Sequence, residues 1–371
     1  MIDLTKGSRN FTKNFDLVLM GLVLITAIFG IIMISSAGGE NAVRYVVVQS
    51  VALVVGLAGI VILIALDYEY LAQISVYIYG FSIFLLILVL IPGIGKVENN
   101  ARSWFHLGPV NLQPAEVAKI AFIISFSKHL SEVDDQINQP KNILMLLGHL
   151  GILCILILLQ PDFGTAMVFV FMGITMLFVA KISWKYIVGG IAALVAVCPL
   201  AWFFFLQDYQ KNRILTLFNP ESDPTGAGYH VLQSKLAVGS GKIFGTGLYK
   251  GASQMNNMLP ERHTDFIYSV VCEELGLIGG ILVILLLTAI ILRCLYIGMN
   301  ARNSLGRYIC TGVAAMLIFQ VFENIGMCIG LFPVTGITLP FFSYGGSSML
   351  TTMLAIGLVI SVRYRCKLIN F

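Results

Sequence analysis

The sequence predicts a single all-α membrane domain of about ten transmembrane helices, because composition, hydropathy and the spacing of apolar runs agree. Of the 371 residues, 58% are hydrophobic and 11% are charged, and the mean hydropathy is +0.89. These values exclude an ordinary soluble protein. A helix that crosses a bilayer needs roughly 20 apolar residues. Runs of that order recur near residues 16–36, 45–66, 70–92, 112–131, 142–160, 163–180, 185–206, 266–292, 305–330 and 345–362. No repeat or linker divides the chain, so residues 1–371 are interpreted as one domain.

The distribution of basic residues predicts the orientation. Most lysines and arginines near span ends lie at the termini or in even-numbered connections, whereas Arg44, Lys96 and Arg102 occupy short loops on the other side. The positive-inside rule then places both termini in the cytoplasm. The polar N-terminus runs directly into a full-length span, so we expect no cleaved signal peptide. The small, dispersed net charge of +4 gives no indication of nucleic-acid binding.

The connection after the seventh span, residues 207–264, is predicted to be a large external loop. Its apolar residues Tyr229, Leu232 and Leu236 recur at helical spacing, which indicates an amphipathic helix at the membrane interface. The following GSGKIFGTG matches neither a phosphate-binding nor a dinucleotide-binding pattern, so its glycines are interpreted as turns. A loop this long in a compact bundle is usually functional or disordered, and its apolar periodicity favours function.

Ionisable residues inside predicted spans usually face a bundle interior or a watery cavity. In span four, Glu116 and Lys119 are three residues apart and can pair on one helical face. This pair is either a structural ion pair or the polar wall of a substrate cavity. Asp162, in a short external turn before span six, is either a helix cap or part of the same site.

The densest cluster lies in residues 260–276, PERHTDFIYSVVCEELG, at the external end of span eight. Its titratable residues before that span are Glu261, Arg262, His263 and Asp265. Asp265 would lie at a helix N-terminus, where the dipole favours the anionic form. Deeper in the span follow Glu273 and Glu274. Together with Glu323 and Asn324 in span nine and an irregular segment before span ten, they imply a cavity open to the outside.

Five motifs resemble one known family over essentially the whole chain. They are ARSWFHLGPVNLQPAEVAK, QPDFGT, NPESDPTGAGYHVLQSKLAVGSGKIFGTGL, LPERHTDFIYSVVCEELG and FFSYGGSS. The family is the SEDS (shape, elongation, division and sporulation) proteins, polytopic polymerases of bacterial peptidoglycan. NPESDPTGAGYH, QSK and PERHTDF are more similar to the rod-shape branch, RodA, than to the division branch, FtsW. A division or sporulation paralogue is the alternative.

The resemblance implies that the protein polymerises lipid II on the outer face of the bacterial cytoplasmic membrane during elongation. The essential aspartate of the family falls on Asp265, and other functionally important positions fall on Glu116, Lys119 and Asp162. The implied partners are a class B penicillin-binding protein and other membrane proteins of the elongation machinery.

These residues suggest a mechanism in which Asp265 deprotonates the acceptor sugar hydroxyl. The departing diphosphate would be neutralised by cations from one set: Arg102, Lys119, Arg213, Lys235 and Arg262. Glu261 and His263 complete the predicted substrate-binding residues. No Cys/His spacing indicates a metal site, and a requirement for Mg²⁺ or Mn²⁺ is left open.

Two other functions compete with catalysis. A lipid II flippase would also need a charged cavity, but carriers often show paired repeats and polar residues on both sides of the midplane. A non-catalytic scaffold would use the carboxylates only as helix caps. The external clustering of polar residues and the lack of repeats favour the enzyme.

Overall fold

The computed structural model describes residues 15–98, 101–107, 110–200, 203, 208–223, 226–251 and 259–366. Most of these residues form a helical bundle. Its helices are α1 (Leu17–Ala37), α2 (Ala42–Leu66), α3 (Tyr68–Gln73), α4 (Ser75–Leu90), α5 (Pro114–Glu132), α6 (Pro140–Leu158), α7 (Phe163–Val179), α8 (Trp184–Leu200), α9 (Asp208–Phe218), α10 (Ala227–Ser240), α11 (Ile267–Met299), α12 (Ser304–Cys328) and α13 (Gly346–Cys366). Short 3₁₀ turns cover Gly39–Asn41, Asp134–Gln136 and Pro220–Ser222.

Every predicted span overlaps one of these helices, so the all-α membrane fold is confirmed. By length and composition, 6 helices among the described residues can cross a membrane: α1, α2 with its preceding turn, α6, α11, α12 and α13. Two shorter apolar helices are α4 and α7. The number ten itself stays a prediction. The N-terminal residues 1–14 and the end of the seventh predicted span, apart from residue 203, lie outside the described residues.

Small residues allow the central helices to pack closely. Gly56 on α2 faces α13, where an added Cβ would lie 2.6 Å from Met353 Cβ. Gly357 on α13 faces α2 in the same way. A Cβ added to it would lie 3.2 Å from Ile60 Cα. In lipid, close van der Waals packing of this kind replaces the hydrophobic effect as the force between helices. Large exposed apolar side chains such as Val54 and Leu285 suit a lipid-facing surface.

A small antiparallel sheet fills the connection between α4 and α5. Its strands β1 (Lys96–Glu98), β2 (Ala101–Leu107) and β3 (Val110–Leu112) lie in that order. Trp104 pairs with Lys96, and Phe105 pairs with Leu112. The sequence indicates only a loop here, because strands this short carry too little periodicity to be recognised. The sheet leads directly into α5.

The long loop after α8 contains two helices, α9 and α10. The face of α10 that packs on the bundle is formed by small residues, and the Ser234 hydroxyl lies 2.6 Å from Ser269 Oγ and donates to Cys328 O (2.7 Å). Leu232 and Leu236 point away from the bundle and are 41% and 58% exposed. The helix expected near Tyr229 is therefore present, and its location at the membrane interface stays a prediction. Residues 207, 224–225 and 252–258 of the loop lie outside the described residues.

Helix α11 is interrupted at Gly276, whose φ of 68° and ψ of −165° are not helical. The glycine-rich segment 241–247 from the preceding loop lies in this interruption. Backbone hydrogen bonds join the two segments: Leu277 N to Lys242 O (2.9 Å), Ile278 N to Ile243 O (3.3 Å), Thr246 N to Glu273 O (3.0 Å) and Gly247 N to Glu274 O (3.0 Å). Irregular backbone near a membrane requires such partners. An added Cβ on Gly241 would overlap Cys272 O, and one on Gly245 would overlap Glu274 O.

The interruption changes the interpretation of the eighth span. The predicted continuous helix over 266–292 is wrong at Gly276, because the peptide groups there pair with segment 241–247 instead of with the preceding turn. Residues 277–299 alone are roughly 35 Å long at 1.5 Å per residue, which exceeds the ~30 Å hydrocarbon core. The carboxylates of Glu273 and Glu274 lie before the interruption, so they need not enter that core.

Candidate active site

Asp265 lies in the turn that leads into α11 and is held by its backbone. Its carbonyl oxygen accepts a hydrogen bond of 2.8 Å from Asn324 Nδ2 on α12. The same amide nitrogen donates to Ile337 O at 2.7 Å. Asn324 is fully buried, so one side chain fixes the Asp265 turn and the segment 333–345 together. The N-cap residue of α11 is Phe266, so Asp265 stands one residue before the cap.

The surroundings of Asp265 favour the protonated carboxyl. Burial, chiefly, and the nearby Glu261 carboxylate raise the pKa of Asp265 from 3.8 to about 7, while Arg213 opposes them. Part of the residue stays exposed, although its carboxyl group is desolvated. Glu261 is itself in a strained backbone conformation, with φ of 51°, and accepts from Thr264 Oγ1 at 2.9 Å.

The segment 333–345 between α12 and α13 lines the same site. Gly336 has a φ of +80°, and a Cβ added there would lie 3.6 Å from Asp265 Oδ2. The preceding residue, Thr335, donates its hydroxyl to Glu323 Oε1 on α12. The segment is tied to the Asp265 turn at its other end, where Tyr344 N donates to His263 O at 2.8 Å. The turn and the segment thus form one structural unit.

Glu116 and Lys119 form the ion pair that their spacing predicts, with Nζ 2.8 Å from Oε1. Both residues are buried, at 7% and 2% exposure. Asp162 caps α7 by accepting from Thr165 N (3.0 Å) and Thr165 Oγ1 (2.9 Å). Gln113 Nε2 donates to the same carboxylate at 3.2 Å. Burial raises the pKa of Asp162 above its ordinary value, and the opposing charge of Lys119 lowers it.

This ion-pair group lies beside the segment 333–345. A Cβ added to Gly164, at the start of α7, would lie 3.0 Å from Thr335 Cβ and 3.0 Å from Ile337 Cγ1. The structure therefore brings Asp162 and the Asp265 turn to the two sides of one segment. Both interpretations of the Glu116 and Asp162 positions, structural and substrate-binding, are compatible with this geometry.

The predicted cations fall in different places. Arg213 on α9 acts electrostatically on Asp265. Arg262 donates from Nε to Ala37 O at 2.8 Å, and Lys235 packs against Gly330 at the end of α12. Arg102 on β2 donates to Leu90 O at 3.3 Å, which directs it to the end of α4. Of these four, Arg213 acts on the charge of Asp265.

His263 belongs to an aromatic group at the same turn. Its ring stacks on the Tyr45 ring, with 4.4 Å between the ring centroids and an interplanar angle of 5°. The centroid of the Tyr344 ring lies 5.6 Å from that of His263. Burial lowers the pKa of His263, so the imidazole is neutral at pH 7. A neutral, stacked ring can accept or donate one hydrogen bond but adds no charge to the site.

The sequence places Asn324 near the predicted cavity, but it does not single out Thr335 and Gly336 or indicate which residues these three contact. Asn324, Thr335 and Gly336 connect to Asp265 or Glu323 only through the tertiary structure. The available signal was an Asn and a Glu side by side in an apolar span, followed by an irregular Pro-Val-Thr-Gly segment. That signal indicates a polar site but does not name its partner residues.

Comparisons with known proteins agree with this fold. A family model for FtsW, RodA and SpoVE, described as "Cell cycle protein", matches residues 10–368. "Peptidoglycan glycosyltransferase MrdB" of Escherichia coli K12 is 38% identical over 292 residues, which cover 79% of each chain. "Probable peptidoglycan glycosyltransferase FtsW" of Geobacter metallireducens is 36% identical over 369 residues, which cover 96% of each chain.

Solved structures match over nearly the whole chain. One comes from work on "Structural coordination of polymerization and crosslinking by a peptidoglycan synthase complex", with 32% identity, a TM-score of 0.83 and coverage of 95% of this chain and 99% of the other. Another is the rod-shape-determining protein RodA of Thermus thermophilus, with 30% identity, a TM-score of 0.71 and coverage of 94% and 96%. The chain therefore belongs to the SEDS family of FtsW, RodA and SpoVE proteins, a family of membrane-embedded peptidoglycan glycosyltransferases.

Proposed function

We propose that this protein polymerises lipid II, a disaccharide-pentapeptide on undecaprenyl diphosphate, into β-1,4-linked glycan strands. The supporting observation is Asp265, a partly exposed residue whose carboxyl group has a pKa raised to about 7. An ordinary aspartate, with a pKa near ~3.9, is a weak base at pH 7. A general base is most effective when its pKa lies near the working pH. Asp265 meets that requirement.

In the proposed reaction Asp265 takes the proton from the C4 hydroxyl of the acceptor GlcNAc. The hydroxyl oxygen then forms a bond to the anomeric carbon of the donor MurNAc. The bond from that carbon to the diphosphate oxygen breaks, and its electron pair leaves with the diphosphate. One inverting displacement converts the donor's α linkage into a β linkage, and the proton later passes from Asp265 to solvent.

Positive charge must compensate the diphosphate as it leaves. Arg213 is the favoured residue of the proposed set, because its charge already acts on Asp265. Lys119 is paired with Glu116 at 2.8 Å, so it would have to exchange that partner for a phosphate. The remaining cations of the set, Arg102, Lys235 and Arg262, stay secondary proposals, as do Glu261 and His263 as substrate-binding residues.

A divalent cation is a separate proposal. Within the described parts of the chain, no three or more His, Cys, Asp and Glu side chains are grouped so that they could hold a metal ion. The residues that the structure describes therefore do not by themselves fit a metal site, and no step above depends on Mg²⁺ or Mn²⁺. Titration of each ion into protein treated with EDTA, with polymer yield as the readout, tests the requirement.

The assignment to elongation and rod shape rests on the RodA-like motifs. The identities of 38% to MrdB and 36% to an FtsW are nearly equal, so they do not distinguish the rod-shape branch from the division branch. The proposed partners are a class B penicillin-binding protein, supported by a matching chain from a synthase complex, and other elongation proteins of the membrane. Cytoplasmic termini and an outward-facing Asp265 follow from the distribution of basic residues.

The first experiment compares wild type with Asp265→Asn. Each would be purified with its class B partner and supplied with labelled lipid II, and glycan strands would be measured on a gel. Loss of the base should lower the rate by at least about 100-fold. Asp135→Asn, at an exposed aspartate in the 3₁₀ turn Asp134–Gln136, is the matched control and should polymerise like wild type.

Each outcome decides between the functions. Normal polymer from Asp265→Asn, after folding and partner binding are verified, would show that Asp265 is not the base. Absence of polymer from wild type as well would contradict the polymerase and favour the flippase or the scaffold. Transport of fluorescent lipid II in vesicles then separates those two.

A further inference from the structure

Glu323 is a buried carboxyl group that the proposed reaction does not use. It lies on α12 and is 6% exposed. Its Oε1 accepts the Thr335 hydroxyl, while Oε2 is buried without a hydrogen-bond partner. In the described part of the chain Glu323 forms no ion pair. A buried, ionised carboxylate without a cation is very costly, so such groups are usually neutral.

Glu323 is close to Asp265 in two ways. The carboxyl groups interact electrostatically. They also share a short piece of backbone, since Thr335 bonds Glu323 and the adjacent Gly336 faces Asp265 Oδ2. Asn324, the next residue after Glu323, holds the Asp265 carbonyl at 2.8 Å. The relative position of the two carboxyl groups is therefore fixed by α12.

The other charged groups around this pair do not neutralise it. Glu261 adds a further negative charge beside Asp265, and Arg213 is the cation that acts on that residue. On the elements packed against α12 the charged neighbours include Glu116, Lys119 and Asp162, and also Lys235 on α10, which packs against Gly330. Lys119 is paired with Glu116, so carboxyl groups outnumber cations across the site. At least one carboxyl of such a group retains its proton.

We propose that Glu323 is that carboxyl, a permanently protonated acid that stabilises the ionised form of Asp265 and so positions the base for the acceptor hydroxyl. This inference rests on the proposed glycosyl transfer. Glu323 neither touches the substrate nor transfers its proton in the reaction, and no bond to it forms or breaks. Its neutral side chain keeps a second negative charge away from Asp265 and directs a donor dipole at it. Glu323 keeps its proton over the working pH range, so Asp265 is the carboxyl of the two that titrates there.

The test compares Glu323→Met with Glu323→Gln. Methionine removes the donor, so the pKa of Asp265 should rise. The acid limb of the plot of rate against pH should then shift to higher pH by about one unit. That shift lowers the polymerisation rate below neutral pH by about tenfold. Glutamine, whose amide also donates, should restore both the rate and the profile. Glu132→Gln, at an exposed residue paired with Lys128, is the control and should change neither.

A second readout does not depend on activity. At pH 8, infrared difference spectra between wild type and Glu323→Gln should show the loss of one protonated carboxyl band, which Glu132→Gln should keep. The same method follows the ionisation of Asp265, identified by its absence in Asp265→Asn, and its midpoint should rise in Glu323→Met.

Two results would overturn the inference. One is a Glu323→Met enzyme that is slower at every pH with an unchanged midpoint, which indicates a purely structural residue. The other is a wild-type spectrum at pH 8 without the Glu323 band. If wild type makes no polymer, the proposed function fails, and the infrared midpoints alone decide whether the two carboxyl groups are coupled.

Discussion

Two groups of carboxyl residues in this bundle differ in how their charge is compensated. In the first, Glu116 contacts Lys119 at 2.8 Å, and Asp162 is saturated by cap hydrogen bonds. In the second, Asp265 and Glu323 share a site with Glu261, and Arg213 acts from α9. In the first group Lys119 compensates the charge of Glu116, although Glu116 Oε2 is buried without a hydrogen-bond partner, and this arrangement suits a structural or binding role. In the second group the carboxyl groups are not all paired with cations, so their pKa values can be raised. A carboxyl with a raised pKa is suited to proton transfer near neutral pH.

The largest effect that tests this comparison should come from Lys119→Met. Removal of the cation leaves Glu116 buried without its partner, which typically costs about 3–5 kcal/mol. Thermal unfolding in detergent should show the loss, and the double variant Glu116→Gln/Lys119→Met should recover most of it. Lys128→Met breaks the exposed pair with Glu132 and should cost less than about 1 kcal/mol. A stable Lys119→Met protein that no longer binds lipid II would instead assign the pair to the substrate.

An intermediate effect is expected for Asn324→Leu. The change leaves the carbonyl oxygens of Asp265 and Ile337 without their donor, at a cost of about 1–3 kcal/mol for each buried group. Because the Asp265 turn would also lose its support, the polymerisation rate should fall more than stability alone explains. Asn300→Leu, at an exposed amide bonded to Tyr296 O, is the control for both measurements. Equal activity in the two variants would show that α12 does not position the base.

The smallest effect is a dependence on pH. Since Asp265 must be ionised to act as a base and its pKa is about 7, the rate should fall about tenfold per pH unit below 7 and level off above it. Stability should respond in the opposite direction. The folded state holds this proton more tightly than the unfolded state, so the contribution of Asp265 to stability falls as pH rises from 3.8 to about 7.

Asp265→Asn provides the matching control, because an amide does not ionise. The variant should be inactive and yet melt at a higher temperature than wild type above pH 7. A rate profile that is flat between pH 5.5 and 8 would contradict the assignment of Asp265 as a base with a raised pKa. An equal melting temperature at high pH would show that its ionisation is compensated in the folded state.

The sequence predicts those features that depend on neighbours along the chain. Apolar runs locate the helices because the bilayer requires a minimum length. The spacing of Glu116 and Lys119 predicts their ion pair because three residues bring side chains to one helical face. The sequence also identifies the Asp265 turn as the densest charged segment. Each of these inferences needs only local periodicity or composition.

Features that depend on distant segments could not be predicted in this way. The connection from Glu323 through Thr335 and Gly336 to Asp265 exists only because α12 and the segment 333–345 fold beside α11. The same holds for the interruption of α11, since nothing around Gly276 shows that segment 241–247 will supply its hydrogen bonds. Gly241 and Gly245 do bound a turn, as predicted, with Gly245 N donating to Gly241 O at 2.7 Å, and they are also sites of close backbone contact with α11.

The interruption at Gly276 also bears on biosynthesis. Residues 277–299 are long enough to enter the bilayer as a complete helix, whereas the peptide groups just before them depend on segment 241–247. That segment precedes α11 in the chain, so it has already left the ribosome when α11 is inserted. The turn that carries Asp265 can therefore begin to take shape during translation, and it acquires its final support only when α12 and the segment 333–345 follow.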